Sequence, residues 1–135
     1  MKVGMVDPRE IEDKAGTLAG ELVMLCFHAR TTAHILHLQT KSYAEHKALG
    51  EFYDDIIPLA DSFAETYQGE YGIITAYPMK YKAAGNGVAL MEELSDWIEG
   101  NRYSVCDADD SHLQNIIDEM VALIRSTEYK LKFLK

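Results

Sequence analysis

AHILHLQTKSYAEHKAL, residues 33–49, decides how the rest of the chain is read. One helical pattern ends in it and another begins. Ser42-Tyr43-Ala44-Glu45 is a capping box: the serine hydroxyl accepts from an N–H three residues on, and the glutamate reaches back. A helix start this close to the end of the previous stripe predicts a short turn, and a short turn makes antiparallel neighbours. The same stretch carries His34, His37 and His46, three of the five histidines in the chain.

Upstream, Asp7-Pro8-Arg9-Glu10 offers a cap, a proline suited to the first helical position and a further capping box. Ile11, Ala15, Leu18, Leu22, Leu25, Ala29 and Leu36 follow at bundle-type spacing, with a gap at Thr32. They predict a first helix from Pro8 to about Gln39. Val23, Phe27 and Leu38 form a second apolar stripe on it, which predicts a face for a partner subunit.

Downstream, the second helix continues through Leu49, Phe52, Ile56, Leu59, Phe63 and Tyr67 and is expected to stop at Gly69. Pro58 removes one ladder bond and predicts a kink near Asp54. Residues 69–87 hold Gly69, Gly72, Gly85, Gly87 and Pro78, and read as a long connection crossing the bundle from end to end. A third helix is expected over Val88 to Glu99, with Leu90, Met91, Leu94, Trp97 and Ile98 inward and Gly100-Asn101 ending it. A Ser/Gln capping box, Ser111-His112-Leu113-Gln114, opens the fourth. Its stripe is Leu113, Ile116, Met120, Leu123, Ile124, Thr127 and Leu131. Asp107, Asp109 and Asp110 precede it, where the helix dipole favours anions; the calcium-loop pattern with its final glutamate is not there. The fold class is all-α: one domain over residues 1–135, an antiparallel four-helix bundle with a long connection between helices 2 and 3.

Composition narrows the function. The formal net charge is −9. Nucleic acid is bound through clustered lysine and arginine, so DNA binding is disfavoured. Tyr77, Lys80, Tyr81 and Lys82 interleave aromatics with bases, but one short stretch is a weak signal in so acidic a chain. No run of apolar residues is long enough to span a membrane, and MKVGMVDPRE has no apolar signal-peptide core. Cys26 and Cys106 read as reduced thiols, which predicts a cytoplasmic protein. Phosphate-cradling glycine loops, Gly-x-Ser-x-Gly elbows and Cys-x-x-Cys pairs are absent from the sequence.

The histidines have candidate partners. Asp61 and Glu65 lie four apart on the second helix, on one face, as bundle metal sites require. Imidazole with carboxylate suits Fe, Mn or Zn better than Mg or Ca. His46 and Asp61 are separated by about 22 Å of helix at 1.5 Å per residue, so one chain cannot close both on one ion. Two copies related by an antiparallel two-fold can bring His34 and His46 of one to Asp61 and Glu65 of the other. The pattern therefore predicts a homodimer. His37 is expected to pack rather than ligate, and His28 and His112 to be solvent-facing or capping residues.

His34-x11-His46-x14-Asp61-x3-Glu65 resembles the ferroxidase ligand set of the Dps family, the DNA-protecting miniferritins of the ferritin-like superfamily. His34-Ile35-Leu36-His37, Glu45-His46-Lys47…Tyr53 and Asp61-Ser62-Phe63-Ala64-Glu65-Thr66 are similar to segments of that family. The resemblance covers roughly residues 20–68; the last helix is similar only in its apolar pattern. It implies a ferritin-like bundle that binds iron, with manganese or zinc as alternatives, between the subunits of a dimer or larger shell. It implies ferroxidase-type oxidation of Fe(II), with His34, His46, Asp61 and Glu65 as ligands. Four features depart from the family. Leu38 stands where a Trp is usual, and Gly50 where an acid serves a second iron. The lysine-rich tail is missing, and the third helix reads as short. Those departures keep a second reading open: a non-enzymatic interaction protein on a ferritin-like scaffold with a degenerate metal site, encoded by a phage or other mobile element.

Overall fold

The computed structural model describes the backbone of residues 8–79, 81 and 84–135, and side chains among them from residue 17 onward. Four helices form: α1 (Pro8–Gln39), α2 (Tyr43–Tyr71), α3 (Gly87–Val105) and α4 (Ser111–Phe133). No strand occurs among the described residues. The Asp7 cap, the side chains of Glu10, Ile11 and Ala15, and residues Lys80 and Lys82 lie outside what is described.

α1 packs on α2 and α3, and α4 packs on the same two helices, so α1 and α4 sit diagonally. The turn between α1 and α2 is only residues 40–42, which makes those helices antiparallel. The Ser42 hydroxyl accepts from the Glu45 N–H at 3.2 Å, as the capping box requires. The Ser42 N–H donates to Thr40 Oγ1 at 3.1 Å, so Glu45 is not its partner.

The long connection has its own seat. Gly72, at φ 94°, ends α2 in a conformation that only glycine adopts without strain. Ile74 is then buried, with its N–H bonded to Gln68 Oε1 at 3.0 Å. The Ala76 carbonyl lies against Gly20 of α1, where any Cβ would overlap it. Tyr81 stacks on His28, at 4.7 Å between ring centroids. Gly87 then meets Leu49 near the start of α2 and Leu131 near the end of α4. The connection thus climbs along α1 from one end of the bundle to the other, and α3 starts beside the start of α2. The end-to-end crossing read from the glycines is present.

The core follows the stripes with shifts. Phe52, Phe63, Leu49 and Ile56 of α2 are fully buried, each contributing roughly 1.5–3 kcal/mol by leaving water. On α1 the buried set is Ala19, Leu22, Val23, Cys26, Ala29, Thr32 and Ala33. Val23 is therefore core, and the partner stripe read through it is corrected: Phe27 is half-buried against the same core, and only Leu38, 71% exposed, faces out. Ala19, Ala29 and Ala33 let α1 lie close to its neighbours.

α2 is continuous through Pro58 and past Gly69 to Tyr71. α3 likewise does not stop at Gly100-Asn101. Asn101 turns its side chain back to the Trp97 carbonyl at 2.8 Å, and the helix runs on until Val105 and Cys106 are buried. The third helix is thus longer than its glycine suggested.

The α4 start is corrected too. The N-cap is Asp110, whose side chain makes no cap bond. Gln114 is buried and does not reach back to a cap; its amide nitrogen donates toward the carbonyls of Arg102 and Cys106, each at 3.1 Å. Arg102 returns bonds to Gln114 Oε1 at 2.9 Å and to Asp118 Oδ1 at 2.6 Å. These bonds hold the α3–α4 corner and explain why α3 extends.

Among the described residues no helix is long and apolar enough to cross a membrane. Cys26 and Cys106 are buried free thiols, pushed up to about 12 and about 11 by burial, and are correspondingly unreactive.

Gln114→Ala should cost about 1–3 kcal/mol in urea unfolding, because it strands buried carbonyls and the Arg102 guanidinium. Gly100 sits inside α3 with open space where a Cβ would go. Gly100→Ala should therefore raise stability by about 0.5–1 kcal/mol in the same assay; a loss would mean that the helix ends there after all.

Candidate metal centre at the α1–α2 turn

The capped start of α2 and the end of α1 bring the three sequence-adjacent histidines together. The His37 and His46 rings stack at 3.6 Å between centroids, tilted by 19°. His34 stacks on Tyr53 at 4.2 Å, and His37 meets the edge of the same tyrosine at 5.2 Å. The Arg30 guanidinium lies 5.5 Å from the centre of that ring. All three histidines are half-buried.

Two hydrogen bonds fix the stacked pair. His37 Nδ1 donates to the His46 carbonyl at 2.6 Å, and His46 Nδ1 donates to the His37 carbonyl at 2.8 Å. A carbonyl only accepts, so each Nδ1 carries its hydrogen. In the neutral rings Nε2 then holds the lone pair. A metal-ligating histidine is commonly oriented in this way, with its other N–H on a backbone carbonyl. Neither ring nitrogen of His34 has a hydrogen-bond partner among the described residues.

Position 50 is explained by His37. A Cβ on Gly50 would lie 3.2 Å from His37 Cε1 and 3.3 Å from Nδ1. The glycine makes room for the imidazole and supplies no ligand. The adjacent Glu51 turns to α4 and pairs with Lys130 at 2.9 Å, which holds its carboxyl below the usual range.

Asp61 and Glu65 are exposed on α2 and have no hydrogen-bond or ion-pair partner among the described residues. Like charges four apart on a helix are mildly destabilising, so this pair is not there for the stability of the helix. The continuity of α2 keeps Asp61 about 22 Å and Glu65 about 28 Å from His46, and one chain does not bring the four candidate ligands together.

A different trio does converge. Glu70, Asp110 and His112 offer ligand atoms all within 4.8 Å of one another. His112 is solvent-facing, as expected, and its Nε2 also lies 2.5 Å from Glu70 Oε1. The sequence held no signal for this trio, because its members come from opposite ends of two helices.

Residues 37–131 match a family of unknown function, DUF5856, and the chain belongs to that family. It is also similar to the uncharacterized 14.6 kDa protein in the mobD-ri intergenic region of Enterobacteria phage T4. The two are 27% identical over 115 residues, 84% of this chain and 87% of the relative. No solved structure matches the chain.

Gly50→Ala tests the packing. Its helical gain of about 0.5–1 kcal/mol should be cancelled by displacement of His37. Its unfolding free energy should fall below that of Gly69→Ala, a helical glycine with open space around it.

Proposed function

We propose that this DUF5856 chain is a ferritin-like protein of the Dps type that binds Fe(II) and oxidises it, with oxygen or peroxide taking the electrons, at a site shared by two copies. The observation that carries the reading is the reciprocal Nδ1–carbonyl bonding of His37 and His46, which leaves the Nε2 lone pair of His46 for a metal. His34 and His46 of one copy supply neutral imidazole, and Asp61 and Glu65 of the other supply negative charge. The carboxylates favour Fe(III) over Fe(II), the direction an oxidation site needs. Mn(II) or Zn(II) suits the same donors. The end-to-end connection and the α1·α2, α3·α4 pairing are what a ferritin-like bundle would have. Two buried free thiols fit a reducing, cytoplasmic setting. The charge of −9 argues against DNA as a partner.

Gly50 favours a second reading. With no acid at that position the second iron has no ligand from there, as in an interaction protein whose metal site has degenerated. The T4 relative, a phage protein, fits that reading equally well.

Anaerobic Fe(II) titration followed by air distinguishes the two. The first reading expects a ferric absorbance that is lost in His46→Ala and in Asp61→Ala. It also expects that mixing those two variants restores signal, on the order of a quarter of wild type, because a mixed dimer rebuilds one intact site. Light scattering should give a dimer or larger. A monomer, or no binding below millimolar iron, supports the interaction protein.

A further inference from the structure

We propose that Glu70, Asp110 and His112 form a binding site for a divalent transition-metal ion, zinc(II) by preference, at the end of the bundle opposite the histidine cluster. The site is independent of the iron reading. Glu70 and His46 sit at the two ends of α2, separated by about 36 Å of helix at 1.5 Å per residue.

The donor set is one imidazole and two carboxylates, a mixture taken by zinc-class ions and poorly suited to calcium or magnesium. The ligand atoms lie within 4.8 Å of one another. Donors placed about 2.0–2.2 Å from a zinc ion are themselves about 3–4 Å apart, so small side-chain rotations complete the set. Three protein ligands leave a tetrahedral position for water.

The surroundings favour a cation. Glu70 occupies the last turn of α2, the negative end of the helix dipole, and that turn contains no basic residue. An acid there is unfavourable until a positive charge joins it. Asp110 stands at the N-cap of α4, yet its carboxylate does not cap. Its Oδ2 instead accepts from the Tyr71 hydroxyl and from the Asp107 N–H, the latter at 3.2 Å. Both bonds fall on one oxygen, and the carboxyl also faces Glu70. The α4 N-terminus opposes a cation by a few tenths of a kcal/mol, which direct carboxylate ligation outweighs.

Binding replaces the contact between His112 Nε2 and Glu70 Oε1, and both atoms turn to the metal. Because the ligands come from α2 and α4, the bound ion ties two helix ends and stabilises the folded chain by mass action.

Titration calorimetry and thermal unfolding of the full chain with zinc chloride test this. Wild type should bind zinc saturably, with a melting temperature that climbs with zinc concentration. Glu70→Gln and His112→Gln, both at exposed positions, should keep the helical circular dichroism of wild type and weaken binding by about tenfold or more. Asp61→Ala should retain the zinc-dependent rise, which separates this site from the iron proposal. Absence of binding below millimolar zinc overturns the proposal, as does wild-type affinity in folded Glu70→Gln and His112→Gln.

Discussion

The exchange of hydrogen bonds between His37 and His46 is the constraint from which the α1–α2 end of the molecule follows. The last carbonyls of a helix have no partner within it. Here Leu36 gives its carbonyl to the Thr40 N–H at 3.0 Å, and His37 gives its own to the His46 ring. One side chain of α2 thereby caps α1, and one side chain of α1 reaches back. A three-residue turn is short enough for this exchange, and the exchange in turn fixes the register of the two helices. Stacking at 3.6 Å then favours glycine at position 50, where a Cβ would press on the His37 ring. The feature that looked like the loss of a ligand is the space into which the imidazole packs.

Much of the fold is legible because it is local. The Ser42 cap, the Gln39 end of α1 and the inward residues of α2 are written in short-range periodicity, and periodicity is what burial selects. The failures share a cause. Gly100-Asn101 is a good local stop signal, but six more residues of α3 are held by Arg102 and Gln114, a pairing across twelve positions. Gln114 resembled a capping partner because spacing cannot show that a buried corner needs its amide. Val23 looked like an outward residue because α1 is lined with alanines, and a helix with small residues sinks further into its neighbours. Of the candidate ligands, sequence identified side chains and helices, and could not supply convergence.

α2 organises both ends of the molecule. It carries His46 in its first turn, Asp61 and Glu65 further along, and Glu70 in its last. A continuous helix is a rigid ruler, so these separations are fixed. No side-chain rotation spans the distance from His46 to Asp61. At the far end the geometry is reversed: α2 and α4 meet there, and residues far apart in sequence lie within a few ångströms.

The ruler also constrains how two copies can complete the proposed iron site. If His46 of one copy faces Asp61 and Glu65 of the other, and the reverse holds, the two-fold axis passes near the midpoint of that stretch, close to Asp54. Asp54 is exposed and lies about 80° around the helix from His46, between Asp61 at about 60° and Glu65 at about 100°. Its carboxylate would meet its own copy across the axis. Like charges in contact oppose association, so apolar contact elsewhere must outweigh them. Ile35 and Leu38, exposed on α1 beside the histidines, are the side chains placed to provide it. A dimer built this way is weakened at its centre and held at its flanks, where the ligands are. Bound cations would offset the same repulsion, so in such a dimer metal binding and association would be coupled through one patch of negative charge.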